Sequence, residues 1–163
     1  MGLLVLALAR PTMDAILIGL ALALPGEALR LWASGHIDKT RVLATGGPYA
    51  HTRNPLYLGS LALTLGVAVA AGSLWILLAV AAYYVAFYPA VMQEEARFLR
   101  RKFPDEYGAW AWHVPLFWPR VTPAGPRASR FEWGRVRANR EWRTAAALPL
   151  LVALLYVRRA WLG

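Results

Sequence analysis

The residues best placed to do chemistry fall in two short stretches. The first runs Gly46-Gly47-Pro48-Tyr49-Ala50-His51-Thr52-Arg53-Asn54-Pro55-Leu56-Tyr57-Leu58-Gly59. Gly46, Gly47 and Pro48 interrupt regular structure. Asn54 is a favoured N-cap residue, and Pro55 suits the first helical position. The spacing therefore predicts a loop that runs into a helix start. Such a start offers unpaired N–H groups and partial positive charge, which can receive a carboxylate or phosphate. Arg53 stands just ahead of it, and Tyr49, His51 and Tyr57 add hydrogen-bonding rings. The same residues also suit a capped helix at a membrane surface, with Arg53 and Tyr57 as interfacial anchors. The second stretch is Glu94-Glu95. Helical spacing sets Glu95, Phe98 and Leu99 on one side, with Arg97, Arg100 and Arg101 largely on another.

What must position them is an apolar hairpin. The 40 residues from Asn54 to Gln93 contain no Asp, Glu, Lys, Arg or His. At ~1.5 Å per residue they span roughly 60 Å, two crossings of a ~30 Å hydrocarbon layer. Gly72-Ser73 is the turn, giving helices from Asn54 to about Ala71 and from Leu74 to about Gln93, with Ser73 able to cap the second. A hairpin returns to its starting side, so the Gly46–Gly59 loop and Glu94-Glu95 are brought together. They combine an anion site, a carboxylate and several rings (Tyr49, Tyr57, Tyr107, Trp110). S-adenosylmethionine needs that combination, for its carboxylate, its ribose hydroxyls and its adenine, although spacing alone admits other ligands.

The chain has 163 residues, 58% of them hydrophobic, and a formal charge of +9. We read one domain in an all-α, polytopic integral membrane protein, with about three to four membrane helices plus cytoplasmic-side amphipathic helices. The excess of Lys and Arg fits cytoplasmic loops better than nucleic-acid binding. The uncharged Gly72-Ser73 turn then faces outwards, and the Gly46–Gly59 loop faces the cytoplasm. There is no cysteine, and His36, His51 and His113 lie at no metal-ligand spacing, so we expect no metal site.

Asp14 to Ala33 reads as the first full helix, after a short apolar lead, Met1 to Ala9. Its uncharged core is only Ala15 to Gly26, which puts Glu27 and Arg30 near or inside a membrane boundary, one turn apart and able to pair. Pro104 begins a further short helix. Val114 to Pro119 is extended, because each proline disfavours helix in the residue before it. A basic linker and C-terminal helix occupy 120–163, where Ser129 to Glu132 fits a capping box. Ala145 to Val157 is short for a span and could cross, tilt or re-enter.

Three blocks carry a resemblance. Gly-Pro-Tyr-x-x-x-Arg-Asn-Pro-x-Tyr-x-Gly (Gly47 to Gly59), Glu-Glu-x-x-x-Leu-x-x-x-Phe (Glu94 to Phe103), and then Tyr107 with Val114-Pro115 resemble the isoprenylcysteine carboxyl methyltransferase family. That family is akin to the phospholipid N-methyltransferases. The resemblance covers about residues 41–119. It implies a helical membrane enzyme that uses S-adenosylmethionine, with cofactor contacts at Arg41, Val42, Leu43 and Ala44, at Tyr49, at Asn54, Pro55, Leu56 and Tyr57, and at Glu95. Two positions depart from the family pattern. Asn54 stands where many members have His, and Val91 stands where eukaryotic members have an Arg implicated in substrate recognition.

The resulting expectation is methyl transfer to a lipid or lipid-like acceptor that enters between helices, at a site open to the cytoplasm. Arg53 would orient an anionic group. Glu94 or His51 would act as base if the acceptor is an amine or hydroxyl. The alternatives are a nicotinamide-dependent membrane reductase of the sterol-reductase type and a non-catalytic membrane protein.

Overall fold

A computed structural model describes residues 7–38, 42–124 and 129–162. Among these residues the chain is helical, without a named strand. The order is α1 (Met13–Ser34), a short 3-10 turn (Gly47–Ala50), α2 (Pro55–Ala70), α3 (Leu74–Lys102), α4 (Pro104–His113), α5 (Trp133–Ala138) and α6 (Trp142–Leu162). Helices α1, α3 and α6 are long and apolar enough to cross a membrane, so the protein is an integral membrane protein. The apolar segment Ala145 to Val157, whose disposition the sequence left open, lies inside the 21-residue α6. Helix α2 has 16 residues and covers roughly 24 Å, less than a full crossing. The two arms of the hairpin are therefore unequal. Met1 to Leu6, most of the apolar lead, lie outside the described residues.

Small residues set the closeness of α1 and α2. A Cβ on Gly26 would lie 2.5 Å from Leu63 N and 2.7 Å from Gly59 O, and one on Gly66 would lie 2.5 Å from Ala23 N. Backbone meets backbone along this seam, so no side-chain adjustment could admit even a methyl group. The end of the hairpin is closed against the chain before α1. Gly72 has φ +64°, a left-handed turn that favours glycine, and Arg10 N donates to Ala71 O at 2.8 Å. An apolar cluster of Ala9, Ile16, Ala68, Ala70, Ala71, Ile76 and Leu155 fills that end. At the other end Tyr107, Trp110 and Val114 are buried with Leu43 and Tyr49.

Three capping expectations are corrected. Asn54 stands at the α2 N-cap, but its side chain makes no cap bond; its Nδ2 instead donates to Leu116 O at 2.8 Å. The Ser73 side chain likewise makes no cap bond to α3. Ser129 is not part of a capping box, because α5 starts at Trp133 with Glu132 at its N-cap. The Ser129 hydroxyl accepts from Gly46 N at 3.1 Å instead. In the Asn54 and Ser129 cases a distant backbone group has displaced the local partner.

Candidate functional site

The chain Gly46 to Asn54 carries few apolar side chains and no long helix. Its geometry is imposed from outside. Arg53 N donates to Pro115 O (2.9 Å), while Arg120 N donates to His51 O (3.0 Å) and Ala124 N to Ala50 O (2.9 Å). Thr52 Oγ1 donates to Phe117 O at 2.8 Å. His51 Nδ1 donates to Arg120 O at 2.8 Å. The proline-rich segment after α4 is thus sewn, backbone to backbone, along the loop. Beneath it Trp110 Nε1 donates to Tyr49 O at 3.0 Å, and Arg53 Nη1 donates to Tyr107 Oη at 3.1 Å.

A cavity of about 540 Å³ opens between this loop, the start of α2 and the C-terminal end of α3, within the range of small-molecule sites. Leu43, Tyr49, Arg53, Asn54, Tyr57 and Glu95 line it, together with Val42, Ala44, Pro55 and Leu56. Nine of the ten residues expected to bind a cofactor therefore share one cavity with Arg53. The tenth, Arg41, lies outside the described residues. Glu95 and Tyr57 stand on the same cavity, close enough for the carboxylate to act on the phenol. Burial, reinforced by the charge of Glu95, pushes the Tyr49 phenol well above its ordinary pKa. It is therefore a neutral hydroxyl, able to donate a hydrogen bond.

Two expected residues are not brought into the cavity. Glu94 points away from it, exposed and paired with Arg97 (3.0 Å) and Arg101 (3.7 Å). It sits one residue before Glu95, about 100° around the helix. His51 is committed to Arg120 O and does not line the cavity. The structure gives neither residue the placement of a base.

Sequence reasoning passed over Ser60 and gave Arg30 no place in the site. Both line the cavity. Arg30 Nη1 donates to Ser60 Oγ, and Arg30 also pairs with Glu141 at 2.5 Å and, more loosely, with Glu27 at 3.8 Å. Glu27 and Glu141 are buried. The signal for Ser60 was its position one turn beyond Leu56 and Tyr57 on the same face of α2. The signal for Arg30 was its i,i+3 relation to Glu27, which was read as a pair but not as part of a site.

The chemistry of the lining bears on what the site could hold. The Arg53 guanidinium stands on the same cavity as a carboxylate, Glu95, and aromatic walls from Tyr49, Tyr57, Phe98 and Trp110. That donor set fits S-adenosylmethionine, which presents a carboxylate, two vicinal hydroxyls and a purine.

Comparison with known proteins gives two results. A phospholipid methyltransferase family profile matches residues 15–106, more than half of the chain. The chain is also 37% identical over 108 residues to the cobalt-zinc-cadmium resistance protein CzcN of Cupriavidus metallidurans. It is 32% identical over 108 residues to the nickel-cobalt-cadmium resistance protein NccN of Alcaligenes xylosoxydans xylosoxydans. Each match covers 65% of this chain, and the chain spans about half the length of these relatives (48% and 49%). No solved structure matches significantly.

Proposed function

From the premise that the chain belongs to the phospholipid methyltransferase family, we propose that it is an S-adenosylmethionine-dependent methyltransferase. Its acceptor would be a lipidic or membrane-embedded small molecule, modified at the cytoplasmic side of the membrane. The observation that carries this reading is the single cavity that joins Arg53 to Tyr57 and Glu95. When bound, the cofactor supplies an electrophilic methyl group on a sulfonium, open to in-line displacement. The protein then has to position two molecules and exclude water, and needs no covalent nucleophile of its own.

The residues divide that work. Arg53, steadied by Tyr107, would hold a carboxylate. Glu95, beside Tyr57 in the cavity wall, would accept from ribose hydroxyls. Leu43, Phe98 and Trp110 would wall the purine. Tyr49, kept neutral by burial, would donate without adding charge. If methylation releases a proton, the carboxylates that line the cavity among the described residues are Asp38 and Glu95.

Two features support a lipid acceptor and a cytoplasmic site. The Tyr57 ring meets Tyr88 edge-on at 5.3 Å, and Tyr88 stacks on Tyr84 at 3.8 Å, so aromatic contacts run from the cavity along α3. Tyr83 and Phe87 beside them are exposed on a helix long enough to span. The hairpin turn carries no charge, whereas α3 ends in Arg100, Arg101 and Lys102, which supports a cytoplasmic location for the cavity end.

The test is transfer of label from methyl-labelled S-adenosylmethionine to native lipid extract by the detergent-purified protein. Label in the lipid phase that is lost in Glu95→Gln supports the proposal. Absence of transfer together with absence of S-adenosylhomocysteine binding would refute it.

A further inference from the structure

The last carbonyls of α1 are met locally: Gly35 N donates to Leu31 O, His36 N to Ala33 O and Ile37 N to Ser34 O, and His36 Nδ1 donates to Trp32 O. The chain that leaves the helix is also held from farther off. Four consecutive carbonyls, from Ser34 to Ile37, are met by one distant arm of the chain. Asn139 Nδ2 donates to Ser34 O (2.9 Å) and to Ile37 O (3.3 Å). Glu132 N donates to Gly35 O at 2.9 Å. Arg135 Nη1 donates to His36 O at 3.4 Å. The arm continues the contact on either side. The Phe131 ring packs directly over Gly35, so that a Cβ there would displace it. Ser129 accepts from Gly46 N, and Glu141 pairs with Arg30.

This arm, residues 129–141, grips both ends of the segment that walls the cavity. Ile37, Asp38, Val42, Leu43 and Ala44 line the cavity. Within that segment the described regular pairing is a single isolated bridge, Asp38 to Val42. Leu43 anchors the segment in the apolar cluster with Tyr49 and Trp110, and the arm holds the chain on either side of it, at Ser34–Ile37 and at Gly46. The arm also lies beyond residue 106, where the family match ends, and none of Ser129, Glu132, Arg135, Asn139 or Glu141 lines the cavity.

We propose that residues 129–141 are a clasp and that Asn139 is its central positioning residue, ordering the cavity wall so that ligand affinity depends on a side chain that never meets the ligand. The proposal rests on the reading of the cavity as a cofactor site. Without the clasp the wall populates open arrangements, and apparent affinity falls with the closed fraction. Asn139→Asp keeps the shape but removes both donors and turns a carboxylate towards two carbonyls. Losing two hydrogen bonds of ordinary strength changes the closed-to-open equilibrium constant by roughly tenfold to thirtyfold, which weakens apparent affinity by about tenfold where the two states are otherwise near balance.

The experiment reads the wall and the ligand separately, in the full-length detergent-purified protein. Hydrogen–deuterium exchange of amides in residues 42–46 is compared among wild type, Asn139→Asp, Asn139→Gln and Arg137→Ala. S-adenosylhomocysteine affinity is measured on the same four proteins. The clasp predicts faster exchange in Asn139→Asp, with α2 amides unchanged, and affinity about tenfold weaker. Asn139→Gln, which keeps the donors, recovers part of both, and Arg137→Ala, on the same arm but outside the clasp, matches wild type. Unchanged exchange in Asn139→Asp overturns the clasp. Faster exchange with undiminished affinity overturns its coupling to the ligand. Failure of wild type to bind overturns the cofactor reading, and with it the coupling, while exchange still decides the clasp.

Discussion

Gly59 and Gly66 lie on the same face of α2, seven residues and about 10 Å apart, and they separate stability from function. A Cβ on Gly59 would stand 2.7 Å from both Gly26 O and Arg30 Cγ. Ordinary contact begins at 3.4 Å, so Gly59→Ala opens the α1–α2 crossing locally by about 0.7 Å. A Cβ on Gly66 would stand 2.5 Å from Ala23 N and from Gly19 O, so Gly66→Ala imposes a similar opening two turns deeper. Each change overpacks a backbone seam and costs about 1–3 kcal/mol, or several degrees of melting temperature at roughly 2–4 °C per kcal/mol. Only Gly59→Ala displaces Arg30, which lines the cavity and donates to Ser60. A shift approaching 1 Å in a positioning group lowers turnover by about tenfold to hundredfold. Thermal melts and initial rates of methyl transfer on both variants make the assay. The expectation is similar melting losses, with turnover per folded molecule reduced in Gly59→Ala alone. Equal loss of turnover in both, or full turnover in Gly59→Ala, would refute the local reasoning.

Other substitutions probe single contacts. Glu95→Gln weakens S-adenosylhomocysteine binding by about tenfold in calorimetry, because a charge-assisted bond to hydroxyls becomes a neutral one. Glu141→Ala removes the closest partner of a largely buried guanidinium and destabilises by about 3 kcal/mol, seen as a lowered melting temperature; Glu27, at 3.8 Å, limits the loss. Glu94→Gln changes binding, turnover and stability little, since its partners are exposed. His51→Ala costs about 1 kcal/mol of stability through the lost bond to Arg120 O, with the pH profile of turnover unmoved.

The sequence disclosed much of this architecture because its strongest signals were local. An uncharged run broken by Gly72-Ser73 could hardly be anything but a hairpin. A hairpin necessarily returns Glu95 to the side of Arg53 and Tyr57. Glu94 shows the limit of that logic. The pair Glu94-Glu95 is brought near the loop as a unit, but one step around a helix turns the first carboxylate to Arg97 and Arg101 and the second to the cavity. Sequence adjacency hides that difference. His51 shows a second limit: a ring in a functional loop was claimed by the backbone of a segment about 70 residues away. Asn54 and Ser129 were read as caps of their own helices, because local rules see only local partners. Their real partners, Leu116 O and Gly46 N, arise from tertiary contact. The Arg30–Glu141 pair could not be read for the same reason, since nothing in a single chain's spacing joins residue 30 to residue 141.

The measurement that bears most directly on the central claim is calorimetric titration of the detergent-purified protein with S-adenosylhomocysteine, with NADPH titrated in parallel. Saturable binding of S-adenosylhomocysteine alone, weakened in Glu95→Gln and unchanged in Glu94→Gln, is the predicted result. Binding of NADPH alone, or of neither, would contradict the assignment of the cavity to a methyl donor.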